Sequence, residues 1–446
     1  MNPDAAEICN NGKDDDCDGS PGDCVPYEGT MGRVSANPTV IRDAPDEFFG
    51  VWSAADDLNG NGLDDLVLSA PTAEDGRGLV MVYTGLEPSS DRDAGDVHAL
   101  IRGGPDAYLG VGVATADING DGLDDLIARD TLEATYVFLG PVDGDLDVAD
   151  SWLGFVDVGA GALETSGLAL PDLDGDRSAD VHIGNPYVGT SPDVGAVYVF
   201  DSPHDPDRLY DPENASRQLL GTDDVAPGFT VVTGDFDGDG VADLVTSDPY
   251  ADTNVESGGL VWVLRDSAPM GDSTVSDVTD GLVGTRAGGD AGTSLAAGDL
   301  DGDGTDDLVV GAPGSTIVAG GQVYVFQGAP IGMRTATVAR TNIAQQTVDT
   351  DFGYHVTVAD ISGDGQPDLA IGEPGASQGA VHVLYGPLGE GRIETNSLDA
   401  TIRGAASGSS YGFATNAPGD FDGDGSADLV IGANSVSLDV FFGGGW

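Results

Sequence analysis

The stretch Asp299-Leu300-Asp301-Gly302-Asp303-Gly304-Thr305-Asp306-Asp307 decides how this chain folds. It puts carboxylates at positions 1, 3, 5 and 9 of a nine-residue loop, with glycines at positions 4 and 6 that permit sharp backbone turns. Four carboxylates in so short a loop repel one another strongly unless a cation sits among them. Hard oxygen donors on a flexible loop suit Ca²⁺ better than zinc or copper. One copy alone reads equally well as a solvated acidic turn. This chain carries seven.

The loops begin at Asp57, Asp117, Asp172, Asp235, Asp299, Asp360 and Asp420, spaced by 60, 55, 63, 64, 61 and 60 residues. A period near sixty with four strand-like runs per unit signals propeller blades rather than a helical solenoid. No stretch has sustained helical periodicity. The expected fold is all-β, a seven-bladed β-propeller of four-stranded blades over residues 31–446, preceded by a Cys/Asp-rich segment at 1–30. One unit shows the layout. Tyr108-Leu109-Gly110 turns, Val111–Ala116 is the inner strand, and the loop from Asp117 follows. Leu126–Ala128 and Ala134–Leu139 are the next strands, and Asp147–Asp150 or slightly beyond is the outer one. The inner runs are apolar on both faces, as a sheet covered on both sides by neighbouring blades requires.

The two ends of the repeat region predict how the ring closes. The seventh unit has Asp428–Gly432 and Ser437–Phe442 and then stops at Trp446 without a fourth strand. Thr39-Val40-Ile41-Arg42 precedes Phe49-Gly50 and looks like the fourth strands Ala99–Arg102 and Ala400–Arg403. Residues near 38–43 are therefore expected to supply the last blade's outer strand, which removes an exposed pair of edges.

The candidate ligands occupy positions 1, 3, 5, 7 and 9, with position 7 offering its carbonyl. They are Asp57, Asn59, Asn61, Leu63 and Asp65 in the first loop, and Asp117, Asn119, Asp121, Leu123 and Asp125 in the second. The third has Asp172, Asp174, Asp176, Ser178 and Asp180, with Arg177 in place of the glycine at position 6. The fourth has Asp235, Asp237, Asp239, Val241 and Asp243, and the fifth Asp299, Asp301, Asp303, Thr305 and Asp307. The sixth has Asp360, Ser362, Asp364, Gln366 and Asp368, and the seventh Asp420, Asp422, Asp424, Ser426 and Asp428. The loop is not an EF-hand, since the bidentate Glu at position 12 is missing. Carboxylate count predicts weaker binding in the first and sixth loops than in the fourth, fifth and seventh. About seven Ca²⁺ are expected, and one more is open at the N-terminal segment.

Phe49-Gly50, Leu109-Gly110, Phe352-Gly353 and Tyr411-Gly412 precede the loops, and Gly311-Ala312-Pro313, Gly372-Glu373-Pro374, Gly184-Asn185-Pro186 and Ser69-Ala70-Pro71 follow them. These resemble FG-GAP repeats, and the chain is similar over about 415 residues to the seven-bladed propeller of integrin α subunits. It departs at the third repeat, where Ser166-Gly167 is shifted, and at the second, where Arg129-Asp130-Thr131 replaces the Pro motif. The resemblance implies Ca²⁺ in the hairpins between the first two strands of each blade, and ligand binding on the opposite face.

Residues 1–30 read differently. Cys9, Cys17 and Cys24 flank Asp14, Asp16, Asp18 and Gly19, the start of a D-x-D-x-D-G loop. A Cys9–Cys17 disulfide would brace so small a segment, and Cys24 is left to pair with either cysteine or with another chain. A zinc site is disfavoured, with no His nearby. The segment resembles the acidic Cys motif of the MopE copper-binding proteins; the copper role does not carry over, because it has no His or Trp.

Composition sets limits. The formal charge is −61, from 77 Asp and Glu against 16 Lys and Arg. Seven divalent ions would leave about −47. Nucleic acid and anionic lipid are disfavoured as partners, since both need basic patches. Adaptation to a salty medium and simple solubility account equally for the scarcity of Lys. No apolar run is long enough to cross a membrane. The start, Met1-Asn2-Pro3-Asp4, is not a signal peptide as written. Ca²⁺ loops and clustered cysteines nonetheless favour a secreted or cell-surface location.

Catalytic signals are weak. Gly375-Ala376-Ser377-Gln378-Gly379 fits G-x-S-x-G but lies between two strands, not at a strand–turn–helix elbow. His98, His182, His204, His355 and His382 are scattered over different blades. On the face opposite the loops, blades 3, 4 and 5 carry the longer hairpins, Pro186–Gly195, Pro249–Gly259 and Pro313–Gly321. They offer Tyr187, Asp193, Tyr250, Asn254 and Glu256, either as anchors for a partner or as locally packed side chains. The reading is a monomeric, non-enzymatic adhesion or recognition propeller for a protein or glycan. The alternatives are a polysaccharide hydrolase or lyase and a purely structural surface module.

Overall fold

The computed structural model describes residues 29–32, 39–42, 48–86, 91–132, 134–156, 168–172, 178–186, 194–202, 204–205, 209–222, 225–253, 255–265, 273–314, 320–348, 350–405, 410–432 and 437–444. Cys9, Cys17, Cys24 and the acidic run between them lie outside these residues, so the division at residue 30 stays a proposal.

The described residues form a seven-bladed propeller. Seven sheets each begin with a short inner strand: Ser53–Asp56, Val113–Ala116, Leu168–Ala169, Val231–Gly234, Ser294–Gly298, Val356–Ala359 and Ala414–Gly419. Each inner strand touches those of the two neighbouring blades, and the seventh touches the first. The second strands are buried throughout and the third strands mostly so, as in Asp65–Ala70 and Leu79–Tyr83. Alternate side chains of one strand serve two interfaces. Leu66 and Leu68 pack with Val430, Leu438 and Val440 of blade 7, whereas Val67 packs with Leu126 and Phe138 of blade 2. This double burial is why these strands lack a polar face.

The ring closes as the ends of the repeat region predict. Thr39–Arg42 runs antiparallel to Ser437–Phe441, pairing Thr39 with Val440 and Ile41 with Leu438. Just upstream, Gly29–Gly32 runs parallel to Ala400–Arg403 on the outer edge of blade 6. The N-terminal stretch thus contributes to two blades.

Two details refine the expectation. The outer strand of blade 2 is Leu153–Val156, just beyond Asp147–Asp150. Gly144–Asp147 pairs in parallel with Ala99–Arg102 of blade 1, and Val148–Asp150 is a 3₁₀ turn capped by Asp147. The connection from third to fourth strand is long enough to run back along the neighbour's outer edge. It recurs in five sheets, and Gly29–Gly32 fills the same place on blade 6, so six of the seven sheets have a fifth strand among the described residues. This covers edges that four strands would leave exposed.

The turn glycines hold positions that other residues cannot. Gly50 has φ +74° and Gly110 has φ +100°, and their N–H groups donate to Ser69 O and Arg129 O, each at 2.8 Å. A Cβ on Gly50 would fall 2.2 Å from Leu438 Cδ1.

Ile41 is fully buried. Ile41→Ala should lower unfolding stability by about 2–5 kcal/mol in chemical denaturation, whereas Leu132→Ala, at an exposed hairpin, should change it by under about 0.5 kcal/mol. His182 is also fully buried, and neither ring nitrogen has a hydrogen-bond partner among the described residues. Burial, aided by Arg217, holds it down at about 3. A histidine neutral when folded and protonated when unfolded costs stability as pH falls below its unfolded value, by about 1.4 kcal/mol per pH unit. His182→Leu should therefore lose less stability than the parent between pH 6.5 and pH 5.

Candidate functional site

Each inner strand starts at one end of the molecule and finishes in an acidic loop at the other. Among the described residues six of the loops share one construction. The first aspartate bends its carboxylate back over the loop and accepts the backbone N–H groups of positions 4, 5 and 6. Asp299 takes Gly302 N at 2.8 Å, Asp303 N at 3.0 Å and Gly304 N at 2.9 Å. Asp117, Asp235, Asp360 and Asp420 do the same. Asp57 takes Asn61 N and Gly62 N. The position-5 side chain then accepts the N–H of position 7, as Asn61 does for Leu63 and Asp424 for Ser426. Leu123, Val241, Thr305 and Gln366 are held in the same way. Asp and Asn suit these places because their short side chains reach backbone N–H groups two or more residues on.

Among the described residues three loops bring carboxylates together. Oxygens of Asp235, Asp237 and Asp239 lie within 4.8 Å of one another, as do those of Asp299, Asp301 and Asp303 and those of Asp420, Asp422 and Asp428. Position 9 is buried in every loop, at Asp65, Asp125, Asp180, Asp243, Asp307, Asp368 and Asp428. In several blades its carboxylate takes N–H groups from position 2 and from the chain beyond the third strand. Asp428 takes Phe421 N and Gly443 N, and Asp307 takes Leu300 N and Gly328 N. Burial, reinforced by the other loop carboxylates, pushes Asp428 up to about 8, Asp307 to about 7, and Asp65, Asp125 and Asp368 to about 6. In the first loop Asn59 Nδ2 donates to both oxygens of Asp65, and in the second Asn119 donates to Asp121. Ser362 of the sixth donates its N–H to Asp368. Asp172 and Ser178 bracket the third loop, whose Asp174 and Asp176 lie outside the described residues. All-oxygen donors, crowded in this way, fit a hard divalent cation.

Position 8 is a functional place that the ligand pattern passed over. Asp306 Oδ2 accepts Asp235 N of the preceding blade at 2.9 Å, and Asp64 Oδ2 accepts Asp420 N at 2.9 Å across the ring closure. The position-8 N–H groups of Ala179, Asp306 and Ala427 return a bond to the carbonyl of Asp117, Asp235 and Asp360. Position 7 packs the same way. A Cβ at Gly60, Gly120, Gly238, Gly302 or Gly423 would meet Leu123, Ser178, Thr305, Gln366 or Leu63 of the next loop. The loops thus form a belt. The sequence signal was the doubled acid at positions 8 and 9, as in Asp64-Asp65 and Asp306-Asp307.

At the opposite end, Trp52, Phe229, Tyr250, Tyr354, His355 and Phe413 line a cavity of about 80 Å³. It sits at the mouth of a central channel of about 330 Å³ lined by all seven blades. Tyr354 and Phe413 stack at 4.9 Å, and Phe229 meets Tyr250 edge-on at 5.5 Å. Tyr250 is 51% exposed. His355 Nδ1 lies 2.9 Å from Thr415 O, and burial holds this ring below its usual pKa. Of these aromatics the hairpin reading found Tyr250. The others had a signal of their own: Phe229, Tyr354 and Phe413 each directly follow a turn glycine. Tyr187, Asp193 and Asn254 lie outside the described residues.

The catalytic decoys resolve into structure. Gly375–Gly379 is a hairpin between Asp368–Glu373 and Ala380–Leu384, and Ser377 is exposed. His382 is buried, with Nε2 2.7 Å from Glu373 and Nδ1 3.0 Å from Thr401. His204 stacks among Phe155 and Tyr210, and His98 lies 3.7 Å from Asp143.

These features define a seven-bladed propeller, four of whose blades are similar to a known repeat. The FG-GAP repeat family matches residues 49–83, 227–264, 291–326 and 352–384, in blades 1, 4, 5 and 6. Integrin α chains are similar: integrin alpha-PS2 of Drosophila melanogaster is 32% identical over 253 residues, 52% of this chain and 17% of that protein. Integrin alpha-IIb of Mus musculus is 31% identical over 224 residues, 48% of this chain and 20% of that protein. Phosphatidylinositol-glycan-specific phospholipase D of Rattus norvegicus is 36% identical over 154 residues, 31% of this chain and 18% of the enzyme. The matched region therefore spans about a fifth or less of each relative. No helix among the described residues is long and apolar enough to cross a membrane.

Asp306→Ala leaves Asp235 N without its side-chain acceptor. Urea unfolding in chelator should show a loss of about 1–3 kcal/mol.

Proposed function

We propose that this protein is an extracellular, Ca²⁺-stabilised propeller that recognises a protein or glycan ligand at the aromatic channel mouth and does not turn it over. The carrying observation is the separation of the two ends. The acidic loops are committed to one another at one end, and aromatic rings that range from buried Trp52 and Phe229 to exposed Tyr250 converge from blades 1, 4, 6 and 7 at the other. Rigid aromatic side chains give large contact area at low entropic cost, which suits recognition. Similarity to integrin α chains supports this reading.

The ions are proposed to lie within the loops, held by positions 1, 3 and 5 with the carbonyl of position 7 and, where it turns inward, position 9. The proposed ligands in the remaining loops are the corresponding Asp, Asn and Ser residues, and Asp174 and Asp176 complete the third. The N-terminal Cys/Asp segment is proposed as a separate braced knob. The chain is proposed to act as a monomer on the cell surface or in secretion.

Similarity to a phospholipase D sustains a second reading, that the propeller is the non-catalytic or substrate-locating part of an enzyme. An array of glycans and peptides, screened with and without a hydrolase and lyase assay, separates the two. Binding of at least one probe without cleavage, reduced about tenfold or more by Tyr250→Ala with Tyr354→Ala, is the expected result. Cleavage of any glycan contradicts the recognition reading. Chelation should lower the melting temperature by about 10 °C or more, because ions that bind only the folded chain stabilise it. No shift would contradict the ionic part of the proposal.

A further inference from the structure

The chain has 16 basic residues against 77 acids, yet among the described residues two arginines from outside the loops reach the loop carboxylates. Arg265 follows the third strand of blade 4, Leu260–Leu264. Its Nη1 lies 3.4 Å from Asp237 Oδ2 and 3.3 Å from Asp243 Oδ2, positions 3 and 9 of the fourth loop. Its Nε lies 3.2 Å from Asp280, and Nη2 donates to Ala329 O at 3.1 Å. In blade 5, Arg340 precedes the fourth strand, and its Nη1 lies 2.5 Å from Oδ2 of Asp301, position 3 of the fifth loop. Its Nε lies 3.9 Å from Glu390. Gln327, at the place of Arg265 in this blade, donates to Asp303 Oδ2 at 2.7 Å. In blade 7 that place is Phe442. Among the described residues no ion pair reaches Asp420, Asp422, Asp424 or Asp428.

We propose that Arg265 and Arg340 are built-in counter-cations of the fourth and fifth loops, which an incoming Ca²⁺ must displace. This rests on the reading of the loops as Ca²⁺ sites. An oxygen lone pair directed at a guanidinium N–H is not free to coordinate an ion at about 2.3–2.6 Å, and the guanidinium and the ion repel each other. Loading the seventh loop fills a cage; loading the fourth or fifth exchanges one cation for another. Carboxylate number ranks the three loops equal. The arginines rank the seventh above the other two. They also hold the fourth and fifth loops folded at low Ca²⁺, so those blades keep their shape where a bare acidic loop would spring open.

The test is calorimetric Ca²⁺ titration of the full chain, with melting curves in chelator and in saturating Ca²⁺, for the parent, Arg265→Gln and Arg340→Gln. Arg340→Gln keeps the test open should loss of the Asp280 and Ala329 contacts unfold Arg265→Gln. Each substitution should move one site from the weak to the tight class, a gain on the order of tenfold. Each should also melt below the parent in chelator and level with it in Ca²⁺. Ca²⁺ uptake with site affinities unchanged or weakened, or equal melting losses in both media, overturns the inference and leaves the loop reading intact. No Ca²⁺ uptake by the parent overturns both.

Discussion

The structure depends on one bond set, repeated in six blades among the described residues: an aspartate at the end of the inner strand whose carboxylate accepts the N–H groups of its own loop. In blade 5 Asp299 gathers Gly302, Asp303 and Gly304 in this way. That closes the hairpin between the first and second strands. It also fixes positions 7 and 8, which face the neighbouring blade's loop. The belt formed by Asp64, Asp306 and the position-8 N–H groups then registers one blade against the next. The electrostatic cost is large, because the same bonds crowd carboxylates that water would otherwise screen. Asp428 shows it most clearly, pushed up by burial and by its loop partners. A cation in the cage would relieve that cost at every blade.

A propeller has no single core. Each blade interface is a thin apolar layer, such as Leu66 and Leu68 against Val430 and Leu438. The ring is stable only if all seven interfaces close at once, which is why the N-terminal strand matters as much as any blade. The loop end is occupied with holding the blades in register. At the mouth end aromatic side chains from four blades gather around the channel, and Tyr250 is the most exposed of them; that is where recognition is proposed.

Much of the fold was legible because it repeats. Spacing gave the blade count, and the likeness of Thr39–Arg42 to known fourth strands gave the closure. The fifth strands were not legible. Gly144–Asp147 has almost no buried side chains, so its pairing leaves no hydrophobic pattern to read. The belt was missed for a different reason. Position 8 lies between two ligand positions, and nothing within one loop's spacing shows that its acid serves the neighbouring loop. The aromatic mouth was missed because Trp52, Phe229, Tyr354 and Phe413 come from blades far apart in sequence. Only the ring geometry brings them together. The arginines at the fourth and fifth loops illustrate the limit of counting charges. A loop's affinity depends on what else reaches its carboxylates, and Arg265 and Arg340 come from strands outside the motif.

The central claim is that ions, at the loop end, take the place of packed side chains in pinning each blade. Diffraction from crystals grown in Ca²⁺, collected at a long wavelength for anomalous signal, tests it most directly. The account predicts a peak inside each loop, bounded by positions 1, 3 and 5, with the seventh loop at full occupancy. Loops that keep the backbone geometry described here with no anomalous peak in any of them would contradict it.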